Sequence, residues 1–173
     1  DVMRSVLQAA YDNFPTSEFT LILSSHGTGW LPKGYYNDPS LYENIFERQD
    51  LEAPAYTFPQ FGPLTKTFGL EQSGFGTTLE MEISDLADAI PMHLKCLVLD
   101  ACLLGGVEVA YELKDVCDKI CFSPAEVPGR GYNYKTLASE LLSDYGSPEG
   151  FSKAYFDLWA EHPDYGATST TVV

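Results

Sequence analysis

The feature that most constrains the fold is a series of short, continuous apolar runs separated by helical patterns. Phe19-Thr20-Leu21-Ile22-Leu23-Ser24-Ser25, Lys95-Cys96-Leu97-Val98-Leu99-Asp100 and Lys119-Ile120-Cys121-Phe122-Ser123 are too short to be helices. Runs of this length and composition read as strands buried on both faces. An amphipathic helix precedes the first, with Met3, Val6, Leu7, Ala10 and Phe14 on one face. Ser84 stands as N-cap of a helix reaching Ile90, where Pro91 ends it. Gly105-Gly106 opens another through Val107, Val109, Ala110 and Leu113, and further helices are expected over Tyr134–Leu142 and Pro148–Glu161. Strands alternating with helices predict the α/β class with a mostly parallel sheet.

The 173 residues suit one domain spanning 1–173. Between Trp30 and Thr78 no periodicity is visible. Pro32, Pro39, Pro54, Pro59 and Pro63 punctuate a stretch rich in Tyr and Phe. A segment of that length, at about 31–78, is expected to be a functional loop, a lid or a processed insert, or else an embellishment packed by its own aromatics. The chain opens directly on a helical pattern and closes on Thr168-Ser169-Thr170-Thr171-Val172-Val173, a β-branched run with no turn after it. It therefore reads as a piece of a larger protein, with its sheet incomplete at both ends.

Charge narrows the partners. Ten Lys+Arg against 25 Asp+Glu give a formal net charge of −15. Such a surface repels phosphate backbones and anionic lipid, which argues against nucleic acid as a partner. No apolar run approaches the length needed to span a bilayer, and no signal-peptide pattern is present.

Four cysteines are too few for a disulfide scaffold at this length. Cys96, Cys117 and Cys121 sit in or beside apolar runs and read as buried small hydrophobes. Cys102 differs, because it directly follows a strand. His26 directly follows another. Ligand crevices form at the carboxyl ends of parallel strands, so the two residues face each other if their strands are neighbours. A base such as His26 and the positive end of the helix after Gly105 would both favour a Cys102 thiolate. Gly27 allows close backbone approach, and its N–H with that of Cys102 could form an oxyanion hole. Position alone favours two packed residues over a catalytic pair. His93 and His162 read as loop or capping residues.

Three segments carry a resemblance. Leu21-Ile22-Leu23-Ser24-Ser25-His26-Gly27-Thr28-Gly29-Trp30 resembles the histidine motif of the clostripain family of cysteine peptidases. Leu97-Val98-Leu99-Asp100-Ala101-Cys102-Leu103-Leu104-Gly105-Gly106 resembles its nucleophile motif, and the stretch from Ser123 to Tyr134 resembles the segment after the next strand. The resemblance implies a caspase-like three-layer α/β/α sandwich and a His26–Cys102 dyad that cleaves peptide bonds through a thioester acyl-enzyme. Asp100 matches the family aspartate of the primary specificity pocket, which implies cleavage after Arg or Lys. Asn133 falls where the family carries an acidic residue, so it is a weaker substrate-binding position, and Arg130 beside it opposes a cationic side chain.

The resemblance further implies a bacterial, secreted or envelope-bound protein acting on peptides or proteins, with self-cleavage between histidine and cysteine. Lys33, Arg48 and Lys66 are the candidate cut sites. No cofactor is required. Calcium would find acidic residues at Glu80, Glu82, Asp85 and Asp88, but no calcium-loop spacing. The alternatives are a dyad with a transpeptidase or amidase reaction, and an inactive acidic binding domain or fragment that needs the remainder of its chain.

Overall fold

The computed structural model describes residues 2–15, 18–28, 33–34, 38, 40, 67–72, 78–128, 131–143, 147–160 and 171–172. Helix α1 (Val2–Asn13) leads into strand β1 (Thr20–Ser24). Strands β2 (Thr67–Gln72) and β3 (Thr78–Glu82) form an antiparallel hairpin that runs directly into α2 (Ile83–Ala89). Then come β4 (Cys96–Asp100), α3 (Val107–Leu113) and β5 (Ile120–Phe122). Helices α4 (Tyr134–Leu142) and α5 (Pro148–Ala160) precede β6 (Thr171–Val172).

The main sheet has the order β1-β4-β5-β6. Strands β1, β4 and β5 are parallel, and β6 pairs antiparallel with β5. The β1–β4 register runs from Thr20↔Cys96 to Ser24↔Asp100, which aligns the carboxyl ends of the two strands. Alternation along β4 builds two cores. Leu97 and Leu99 pack with Ile83, Leu86, Val109 and Leu113, whereas Cys96 and Val98 pack with Leu137, Phe151 and Tyr155. Helices α2 and α3 therefore cover one face of the sheet and α4 and α5 the other, giving the three-layer α/β/α arrangement. Burying each large aliphatic or aromatic side chain contributes about 1.5–3 kcal/mol, so both layers hold the sheet.

Several expectations need correction. Strand β1 is not buried on both faces: its residues alternate between exposed and partly covered, and Ile22 retains 38% of its surface. It stands at one end of the strand order, so the apolar run marks a strand without marking a central one. The α1 stripe is only half used. Met3 and Leu7 pack against the core, but Val6 and Phe14 are 62% and 70% exposed. The hairpin was not anticipated, and β2 falls inside the stretch that shows no periodicity. Helix α2 starts at Ile83 with Glu82 in the N-cap position and no side-chain cap bond, so Ser84 lies inside the helix. Most of the expected insert, including Arg48 and Lys66, lies outside the described residues.

Candidate active site

The site grows from the aligned ends of β1 and β4. Just past them, the Ser25 N–H donates to the Asp100 carbonyl at 3.2 Å, carrying the pairing one residue beyond the strand. The hairpin holds the next step of the chain. Gly27 bridges Phe68, and the Gly69 N–H donates to the His26 carbonyl at 2.9 Å. This brings Gly27 so close to Cys102 that a Cβ on it would stand 2.2 Å from the Cys102 carbonyl oxygen and 2.9 Å from Leu104 Cγ. Glycine is required there by space, since backbone fills the position a side chain would take. His26 and Cys102 thus leave two directly adjacent turns. The imidazole of His26 is exposed and makes no hydrogen bond among the described residues.

Cys102 is half-buried, unlike the other three cysteines. Burial pushes the Cys96 thiol up to about 12, and those of Cys117 and Cys121 up to about 11. Those three are inert packing residues, as their sequence context predicts. The Cys102 sulfur instead meets the turn after β5. Its thiol donates to the Val127 carbonyl at 3.6 Å, and the Val127 N–H donates to it at 3.3 Å. The same turn accepts the Leu103 N–H at Ala125 O, 3.0 Å away. Leu103 adopts a left-handed conformation (φ 60°), which turns the chain sharply after the nucleophile candidate. The expected helix dipole is weak support: α3 begins only at Val107, has 7 residues, and carries Glu108 in its first turn.

Asp100 is 3% exposed, and its two carboxylate oxygens have different surroundings. Oδ2 accepts three hydrogen bonds, from Ser24 Oγ at 3.2 Å, the Tyr132 N–H at 3.1 Å and Tyr134 Oη at 2.5 Å. Oδ1 is buried and has no hydrogen-bond partner among the described residues. The Tyr132 amide is fixed because its ring lies 5.2 Å from Phe151 and 4.9 Å from Tyr155 within the α4–α5 core. Gly131 (φ +69°) makes the approach possible, since a Cβ there would sit 2.5 Å from Oδ2. Ser24, Tyr132 and Tyr134 were not legible as site residues. Asn133 is exposed and caps α4, its Oδ1 accepting the Thr136 N–H at 3.2 Å. Its two neighbours, rather than its own side chain, reach Asp100. Arg130 lies outside the described residues.

His93 is exposed and paired with Asp118 at 2.8 Å, which raises its pKa. His162 lies outside the described residues. Among the described residues no three His, Cys, Asp or Glu side chains converge as a metal site, and no helix is long and apolar enough to cross a membrane. Of the acidic residues considered for calcium, Glu80 accepts the Gly34 N–H at 3.2 Å and Asp85 lies 3.9 Å from Lys33.

An open, mostly parallel sheet between helical layers, with histidine and cysteine following adjacent strands, is the architecture expected of the caspase-like class. The chain belongs to the clostripain family, whose sequence profile (peptidase family C11) matches residues 65–172. That match contains Asp100, Cys102 and Asn133 but not His26 or Gly27. A secreted C11 cysteine protease from Bacteroides thetaiotaomicron, solved with an irreversible peptide inhibitor, superposes with a TM-score of 0.66 at 26% identity, over 93% of this chain and 37% of its own. An inactive zymogen C11 protease from Parabacteroides distasonis gives 0.65 at 22% identity, over 97% and 37%. A B. fragilis cysteine protease gives 0.50 at 30% identity, over 59% and 45%. The chain thus spans less than half the length of these proteases. Comparison with curated protein sequences found no match.

Proposed function

We propose that this chain carries the catalytic centre of a cysteine endopeptidase that cleaves after basic residues, with Cys102 as nucleophile and His26 as base. The observation that carries the reading is the backbone contact between Gly27 and Cys102, which places the turn bearing the imidazole against the turn bearing the thiol. The Cys102 sulfur gives its proton to His26 and attacks the scissile carbonyl. The Gly27 and Cys102 amides hold the oxyanion that forms. The tetrahedral intermediate collapses to a thioester as His26 protonates the departing amine. Water, deprotonated by His26, then releases the acid and restores the thiol. Substrate entry displaces the sulfur from its Val127 contacts. Asp100 receives the basic side chain, as its buried and unpartnered Oδ1 suits a cation.

The zymogen among the similar structures supports maturation by cleavage, with Lys33, Arg48 and Lys66 as sites, and the secreted relative supports an extracellular role. The test is hydrolysis of a fluorogenic peptide panel with Arg, Lys, Asp, Asn or Ala before the scissile bond. Turnover of the basic members by the wild type and its loss in Cys102→Ala is expected. Turnover that persists in Cys102→Ala would remove the dyad, and turnover confined to neutral or acidic members would remove the role of Asp100. Fragments cut at Lys33, Arg48 or Lys66 that still appear in Cys102→Ala would exclude self-processing.

A further inference from the structure

We infer that the specificity pocket selects Lys over Arg, because Ser24, Tyr132 and Tyr134 together occupy one oxygen of the Asp100 carboxylate. The inference rests on the peptidase reading above and deepens it. A carboxylate oxygen offers two lone pairs, and Asp100 Oδ2 already accepts three donors at 2.5–3.2 Å. Only Oδ1 remains, buried and without a hydrogen-bond partner among the described residues. A guanidinium binds carboxylate best as a fork, with two parallel N–H bonds to the two oxygens. That geometry is closed here. An ammonium is a compact point charge that needs one acceptor, and a single oxygen satisfies it.

The donors on Oδ2 are firmly held. Ser24 is fixed by its register opposite Asp100, and the Tyr132 amide by the aromatic packing of its ring. Burial and the bond to Asp100 raise the Tyr134 pKa, although the Ser24 hydroxyl acts the other way, and the phenol stays a protonated donor. Ser24 and Tyr134 are therefore specificity-positioning residues that act through Asp100.

The experiment compares kcat/KM for two peptides that differ only in Lys or Arg before the scissile bond. It uses the wild type, Ser24→Ala, Tyr134→Phe and the double variant. The wild type should favour Lys by on the order of tenfold, the scale of one lost charge-assisted hydrogen bond. Each single variant leaves two donors on Oδ2 and should keep most of that preference. The double variant leaves the Tyr132 amide alone, frees a lone pair, and should narrow the ratio at least threefold. A structural defect would lower both rates together and leave the ratio unchanged. Equal or faster turnover of the Arg peptide by the wild type overturns the inference alone. So does an unchanged ratio in a folded double variant, and if that variant does not fold the wild-type ratio still decides. Silence toward both basic peptides overturns the peptidase reading and this inference with it.

Discussion

Replacing Gly27 with Ala tests the joint between the turn that bears His26 and the turn that bears Cys102. The new Cβ would meet the Cys102 carbonyl oxygen at 2.2 Å, the Cys102 carbonyl carbon at 3.3 Å and Leu104 Cγ at 2.9 Å. A carbon–oxygen contact settles near about 3.3 Å, so the turns must part by on the order of 1 Å. Two of the three obstructing atoms are backbone, and no rotamer change relieves them. Overpacking of this kind costs about 1–3 kcal/mol of stability. A misplacement of about 1 Å between reacting groups costs on the order of 100-fold in rate. The expected result is therefore a modest fall in Tm with a fall of about two orders of magnitude in kcat/KM. Leu113→Ala is the control, since it empties a fully buried site in the α2–α3 layer and should cost about 2–5 kcal/mol. Its kcat/KM, measured well below its Tm, should stay near wild type. A folded Gly27→Ala protein with wild-type kcat/KM would refute the placement of His26 beside Cys102.

Three further outcomes follow from the same geometry. At pH 8, brief exposure of the folded protein to iodoacetamide should add one adduct, mapped by mass spectrometry to Cys102, because burial keeps the other thiols protonated. Alkali should destabilise the fold: above the ordinary thiol value of 9.0 the unfolded chain releases protons that the folded chain retains up to about 11, so denaturant midpoints should fall as pH rises from 9 toward 11. Gly131→Ala forces a left-handed alanine and a Cβ 2.5 Å from Asp100 Oδ2, costing about 1–2 kcal/mol in strain and lowering kcat/KM for basic peptides at least tenfold.

Where the chain announces itself locally, the sequence was readable. Leu97-Val98-Leu99 is buried on both faces, and its two flanking cores follow from simple alternation. Helix α4 has the bounds its pattern suggests, with Asn133 as cap. The β2–β3 hairpin escaped notice because its short alternation, Leu79 and Met81 set off by Thr78, Glu80 and Glu82, adjoins a stretch dominated by proline and aromatic residues. Yet that hairpin holds the His26 carbonyl and Gly27 in place. Asp100 drew attention only through the family resemblance, as the aspartate two residues before Cys102. Its partners Ser24 and Tyr134 lie 76 and 34 positions away, and only the β1–β4 register and the turn at Gly131 bring them together. Val127 was hidden for the same reason, being 25 positions from the sulfur it touches.

The most direct test of the central claim is the rate at which a peptidyl chloromethyl ketone ending in Lys alkylates Cys102, followed by intact mass in the wild type and His26→Ala. A base that activates the thiol predicts rapid, saturable labelling of the wild type at neutral pH, and labelling slowed at least tenfold in the variant. Equal rates in the two proteins, or labelling that shows no dependence on the Lys side chain, would contradict a His26–Cys102 pair working beside Asp100.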